Sequence, residues 1–234
     1  MAGIYIHIPF CKQRCNYCAF YSTTLYNIRE AYVDALCKEL HMRKEYIANE
    51  MVGTIYLGGG TPSTLTMEQL KRICDTIYNN YPITETPEVT IECNPDDLTT
   101  EFLGQLRELP FNRISMGVQS FNDAQLKRLG RRHTAEAARQ AVANARAAGY
   151  SNISIDLMFA LPGSTIEEWE ESINEAISLN PEHISAYNLM YEEETPLHRA
   201  LQRGDFDELS EEENVEQFQM LIKRMKSLIE FLNI

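Results

Sequence analysis

The chain has 234 residues, 44% hydrophobic and 24% charged with 11 glycines and 9 prolines, which suits one large core and excludes a disordered or fibrous protein. Its 34 acidic and 21 basic residues leave a net charge of −13, which excludes a protein that holds bare nucleic acid by neutralising phosphates. No basic-flanked apolar leader opens the chain and no window approaches the ~18 apolar residues of a transmembrane segment, so a soluble, cytoplasmic protein is expected.

Short β-branched runs predict buried strands at residues 4–8, 54–57, 89–92, 113–116, 153–157 and 183–187. Helical periods lie between them: Ile28, Tyr32, Leu36 and Leu40 on one face, the Ala-rich stretch 134–148, and the stretch 165–179. Thr66 with Gln69, and Thr165 with Glu168, read as capping boxes that open two of these helices. Strands alternating with helices lie parallel, and six units fall short of the eight of a closed barrel. The expected fold is α/β, an incomplete (β/α)6 TIM-like barrel over residues 1–205, with a doubly wound open sheet as the alternative. Either fold puts functional loops at the strands' C-terminal ends.

Residues 206–234 predict a last amphipathic helix, opened by a Ser210 to Glu213 capping box. Its apolar stripe, Val215, Phe218, Ile222, Met225, Ile229 and Leu232, is expected to pack on the barrel, with a dimer seam as the alternative. The chain stops two residues past that stripe, which suggests a cut before a further C-terminal domain and a native mass above 26.9 kDa.

Of six cysteines, three fall in the spacing Cys11-x3-Cys15-x2-Cys18 just after the first strand, which points to metal rather than to disulfides. Three thiolates leave one coordination position open. A structural zinc site normally closes with a fourth ligand, and the nearest candidate, His7, lies inside the strand. A cubane iron–sulfur cluster with one free iron fits better, since a small molecule can chelate that iron and accept an electron from it. Cys37, Cys74 and Cys93 read as packing residues, and His41, His133, His183 and His198 lack metal-ligand spacing.

The triplet, with Tyr17 just before its third cysteine, resembles the signature of the radical S-adenosylmethionine superfamily. The runs Ile4 to Cys11, Gly58 to Pro62, Ile91 to Pro95, Ser115 to Phe121 and Ile155 through Gly163 resemble the oxygen-independent coproporphyrinogen III oxidase family and its HemW heme-chaperone branch, in order as far as about Thr195. That resemblance implies a [4Fe-4S] cluster on Cys11, Cys15 and Cys18, and S-adenosylmethionine contacts at Tyr5, Gly59, Gly60, Thr61 and Glu92. Gln119, Arg131 and Asp156 match positions around a second copy of that cofactor, and Tyr17 matches a backbone contact near the cluster; no catalytic side chain is assigned. The implied roles are physically sensible: glycines admit close backbone approach, carboxylates accept from ribose hydroxyls or an ammonium, and Arg131 can fork onto a carboxylate. Without that context Arg131 belongs to a basic run with Arg128 and Arg132 of the kind that is ordinarily solvated.

Oxidase-type sequences add a fourth cysteine two positions after the third, where this chain has Phe20, and an N-terminal extension before the cluster strand. Both absences favour the chaperone branch, whose implied function is to bind heme and transfer it to a recipient hemoprotein. The alternatives are a coproporphyrinogen III dehydrogenase, decarboxylating a porphyrinogen in porphyrin biosynthesis, and a zinc-stabilised barrel with a binding role. A reductant protein of the flavodoxin or ferredoxin type is implied for either radical reading. Heme-chaperone sequences also continue into a domain with a His-Asn-x-x-Tyr-Trp motif, which this chain lacks.

Overall fold

A computed structural model describes residues 1–231, with side chains as far as Lys226. Strands β1 (Ala2–Ile8), β2 (Val52–Gly59), β3 (Ile83–Cys93), β4 (Arg113–Gln119), β5 (Ile153–Phe159) and β6 (His183–Asn188) form one sheet in chain order. The β1–β2, β2–β3, β3–β4 and β5–β6 pairs are parallel. Six of the seven residues of β5 are buried, the near-continuous burial that a parallel strand covered on both faces requires.

The helices are α1 (Arg29–Met42), α2 (Met67–Asn80), α3 (Thr100–Leu106), α4 (Asp123–Arg128), α5 (Ala135–Ala147), α6 (Ile166–Ser178), α7 (Pro196–Gln202) and α8 (Glu211–Phe231). Reciprocal capping boxes open α2 and α6 at Thr66 and Thr165, and Ser210 and Glu213 make the same pair of bonds at the start of α8. The face predicted for α1 holds except at its first residue. Leu40 is buried and Tyr32 and Leu36 are half-buried as predicted, with Val33 buried beside them, whereas Ile28 is exposed and lies in a short 3-10 turn over Tyr26–Ile28 that precedes the helix. Among the described residues no helix is long and apolar enough to cross a membrane.

The chain divides into two compact units. The first comprises Met1–Arg14, Phe20–Met116 and Ala141–Ile153, and the second Cys15–Ala19, Gly117–Gln140 and Ser154–Ile234. In the first, Ile6 and Ile8 of β1, Ile55 and Leu57 of β2, Ile91 of β3, and Leu70, Ile73 and Ile77 of α2 are buried core residues. In the second, Leu129, Met158, Leu161, Leu189 and Leu197 form a core cluster against which Tyr17 packs.

The last helix is seated differently from the prediction. Val215, Phe218 and Ile222 are 48%, 49% and 39% exposed, and the side chains of Ile229 and Leu232 lie outside the described residues. A polar residue seats the helix instead. Gln217 is 2% exposed; its Oε1 accepts from the Ala160 N–H at 2.8 Å, its Nε2 donates to Ser164 Oγ at 3.3 Å, and its carbonyl accepts from Trp169 Nε1 at 2.8 Å. The cause is local: Ala160 follows β5 with a φ of +58°, which turns its N–H out of the strand ladder, and a buried donor needs an acceptor. Phe218 contributes one ring face, stacked on Phe159 with centroids 6.1 Å apart.

Replacing Gln217 by Ala strips partners from a buried backbone donor, so Gln217→Ala is expected to lower stability by about 1–3 kcal/mol in urea unfolding. No measurable loss would contradict this seating of α8. A second expectation concerns His133, a buried residue whose Nε2 lies 3.0 Å from the Val118 carbonyl; a carbonyl only accepts, so Nε2 carries the proton. Burial, reinforced by Arg131, lowers the His133 pKa from 6.5 to about 4. The unfolded chain therefore takes up a proton near pH 6.5 that the folded chain refuses until about pH 4, so stability falls as pH drops through that window and levels off below it. The loss is about 3 kcal/mol, and unfolding measured between pH 4 and 7 should lose that slope in His133→Gln. A slope that survives the substitution assigns the titration elsewhere.

Candidate functional site

In the first unit the cysteine loop leaves β1 through a closed base. Phe10 bridges Thr23, the Cys11 N–H donates to the Thr23 carbonyl at 2.9 Å, and the Thr23 N–H donates to the Pro9 carbonyl at 2.7 Å. Phe10 is fully buried and meets Tyr32 edge-on at 5.4 Å, which anchors that base in the core. Beyond it, the Thr61 hydroxyl donates to Cys11 Sγ at 3.6 Å. Lys12 Nζ donates to the buried Asp97 at 2.5 Å, and Asp97 also accepts from Ser63 Oγ at 2.8 Å, so the residue after Cys11 is held by an ion pair.

The glycine run ending β2 lies beside this exit because Ile8 is in register with Gly59. The Gly60 N–H donates to the Ile8 carbonyl at 2.8 Å, and a Cβ on Gly60 would stand 2.8 Å from that same oxygen, so only glycine fits. Gly59 has a φ of +108° and its N–H donates to Glu92 Oε2 at 3.0 Å. Glu92 Oε1 accepts from the Tyr56 hydroxyl at 2.7 Å. Tyr5 stacks on Tyr56 with centroids 6.0 Å apart, directs its hydroxyl at His7 Nδ1 at 3.3 Å, and has its pKa raised by burial and then by Glu92. Tyr5, Cys11, Gly59, Gly60, Thr61 and Glu92 are thus held in one unit, and aromatic rings, backbone and a half-buried carboxylate line one end of β1, β2 and β3.

The second unit holds the other predicted residues. The segment after Cys15 is docked by backbone bonds: the Asn16 N–H donates to the Leu129 carbonyl at 2.9 Å, Asn16 Nδ2 donates to the Arg128 carbonyl at 2.8 Å, and the Asn16 carbonyl accepts from the Leu197 N–H at 2.9 Å. Arg131 Nη1 donates to Cys15 Sγ at 3.3 Å and Nη2 donates to the Gly117 carbonyl at 2.5 Å. Burial opposes the Arg131 charge, but Tyr17, Cys15 and Tyr187 outweigh it and raise the pKa above the ordinary arginine value. Gln119 ends β4 with a φ of +71° and is buried, its Oε1 accepting from the Tyr187 hydroxyl at 2.5 Å. Burial, with Asp156 adding to it, raises the Tyr187 pKa; burial likewise raises that of Tyr17 well above the ordinary phenol value. Asp156 lies at the middle of β5, half-buried.

Two sequence readings change. Arg131 is not part of a solvated basic face; its Nε is shut off from solvent, because the turn at Gly130, with a φ of +73°, directs the chain back toward Cys15. Tyr56, Asp97 and Tyr187 were missing from the predicted site. Tyr56 was legible, since it lies two residues before Gly58 and in register with Tyr5, on the strand face that period-2 alternation gives both. Asp97 had no local signal, because its partners Lys12 and Ser63 are 85 and 34 residues away in the chain.

The donors suit an iron–sulfur group. Cys11, Cys15 and Cys18 are in no disulfide and half-buried, and the sulfurs of Cys11 and Cys15 accept hydrogen bonds from a hydroxyl and a guanidinium, the environment in which thiolates hold such clusters. Among the described residues no three His, Cys, Asp or Glu side chains form a ready-made cation site.

Comparison with known proteins agrees with the fold. The heme chaperone HemW of Bacillus subtilis (strain 168) is 38% identical over 229 residues, 97% of this chain and 60% of that protein. HemW of Lactococcus lactis subsp. lactis (strain IL1403) is 36% identical over 219 residues, 93% of this chain and 57% of that protein. The chain therefore spans about 60% of the length of these curated relatives. The solved structure of coproporphyrinogen III oxidase (HemN) from Escherichia coli, a radical SAM enzyme, superposes with a TM-score of 0.81 at 28% identity, covering 99% of this chain and 52% of that one. The parallel sheet, left open, is accordingly the incomplete TIM-like barrel of such proteins. With the radical SAM superfamily model matching residues 5–176, nearly three quarters of its length, the chain belongs to that superfamily.

Proposed function

We propose that this chain is the radical SAM part of a heme chaperone, holding a [4Fe-4S] cluster on Cys11, Cys15 and Cys18 and S-adenosylmethionine beside it. The observation that carries the reading is the arrangement around Cys11: its sulfur accepts from Thr61, and the adjoining glycine run is tied to Glu92 through the Gly59 N–H. The thiols gather on the inorganic centre as it is installed, as metal sites that are not preformed do. When bound, the reduced cluster supplies one electron to S-adenosylmethionine.

The protein's own residues bind and orient. Gly59 and Gly60 let the cofactor approach the backbone, Glu92 accepts from its ammonium or ribose hydroxyls, and Tyr5 and Thr61 close the sides. Tyr17 lies near the cluster, and Gln119, Arg131 and Asp156 take the positions that the resemblance gives to a second copy of the cofactor. Heme is the proposed cargo, a recipient hemoprotein and a flavodoxin- or ferredoxin-type reductant are the proposed partners, and the cytoplasm is the proposed location. The second reading, oxidative decarboxylation of coproporphyrinogen III, draws support from the likeness to the solved oxidase. Against it stands Phe20, 72% exposed where oxidase-type sequences carry a further cysteine.

Anaerobic reconstitution with iron and sulfide should give a brown protein whose reduced state has a [4Fe-4S]+ paramagnetic signal that changes when S-adenosylmethionine is added. Cys15→Ala should lose the signal. Glu92→Ala should keep the cluster and bind the cofactor at least ~10-fold more weakly, the effect of losing a charged acceptor. A colourless, zinc-loaded protein would overturn the reading. Stable retention of heme without turnover of coproporphyrinogen III is expected, whereas turnover would favour the oxidase.

A further inference from the structure

Arg131 is placed to act on the cluster through one of its ligands. The Cys15 segment is rigidly docked, with three hydrogen bonds through Asn16 to the α4–α5 turn and to the start of α7. Gly130 makes that docking close, since a Cβ there would stand 3.0 Å from the Asn16 side chain. The next residue is Arg131, whose N–H donates to the Leu126 carbonyl at 2.9 Å, so its backbone is fixed as well. From that base one terminal nitrogen reaches the Cys15 sulfur at 3.3 Å and the other the Gly117 carbonyl at 2.5 Å. Tyr17 packs on the unit's core nearby, and Tyr187 also bears on the guanidinium. Each terminal nitrogen therefore already donates within the protein, a geometry aimed at a ligand's sulfur.

We propose that Arg131 is a positioning residue that raises the reduction potential of the iron–sulfur centre by donating a charged N–H to the Cys15 sulfur. The proposal rests on the cluster reading above. A cluster that gains an electron gains negative charge, most of it carried by iron and sulfur, so a fixed cation hydrogen-bonded to one ligand stabilises the reduced form more than the oxidised form. Gly117 holds the other arm of the guanidinium, which keeps the first directed at Cys15.

The test is a mediator-poised redox titration, followed by paramagnetic resonance, of anaerobically reconstituted wild-type, Arg131→Lys and Arg131→Gln proteins, with iron and sulfide measured in each. In Arg131→Gln the ratio of reduced to oxidised cluster at the wild-type midpoint should fall about tenfold, a negative shift of ~59 mV for one electron. Arg131→Lys, which keeps the charge and loses the fork, should fall between the two. An unmoved midpoint in a loaded Arg131→Gln protein overturns the proposal alone, whereas a wild type that takes up no iron and sulfide sinks the cluster reading. Should the variants fail to load, wild-type protein grown on 15N-arginine decides the matter. A nitrogen hyperfine coupling to the reduced cluster is expected, and its absence overturns the proposal.

Discussion

The register between β1 and β2 is the constraint on which the candidate site depends. Pairing Ile8 with Gly59 brings the exit toward Cys11 against the glycine run, and the bond from the Gly60 N–H to the Ile8 carbonyl leaves no room for a side chain at that crossing. The pairing of β2 with β3 sets Leu57 opposite Ile91, so that Glu92, one residue on, reaches the Gly59 N–H. A one-residue slip would turn Glu92 to the other face of its strand. Parallel strands thus do more than form a core: they aim a thiol, a backbone cradle and a carboxylate along one end of three neighbouring strands.

Polar side chains hold the parts that the sheet cannot. Asp97 ties Lys12 and Ser63 together beside the thiol loop, and Gln217 completes the hydrogen bonding of the turn after β5. In both cases the strand ladder has ended and a buried donor or charge requires a specific acceptor. Arg131 belongs to the same class of residue but touches a sulfur, which makes it chemically consequential as well as structural.

Much of this was legible in the sequence. Period-2 and β-branched runs located all six strands, although the burial they predicted is near-continuous only in the middle of the sheet, as in β5, and fails at its two ends, where β1 buries only Ile6 and Ile8 and β6 has no buried residue. The three capping boxes marked helix starts that the backbone adopts. The short helices α3, α4 and α7 escaped, because six or seven residues carry too little periodicity to register. The seat of α8 was misread for a different reason: an apolar stripe at helical spacing signals amphipathicity, but a single turned-out N–H at Ala160 brings in the Gln217 face instead. At the candidate site, motif spacing singled out the cysteine loop, the glycine run and Glu92, and residues joined only in space carried no sequence signal. Asp97 and Tyr187 act on partners dozens of positions away, and Arg131, which the resemblance singled out, reads on charge pattern alone as one of three surface arginines, whereas the turn at Gly130 aims it inward.

The central claim is that the cysteine loop carries a cluster with one iron open to the amino and carboxylate groups of S-adenosylmethionine. Its most direct test is electron–nuclear double resonance on the reduced, reconstituted protein with cofactor labelled at its amino nitrogen. The account predicts a nitrogen hyperfine coupling to the [4Fe-4S]+ cluster. A fully loaded cluster that shows no coupling at saturating cofactor would contradict it.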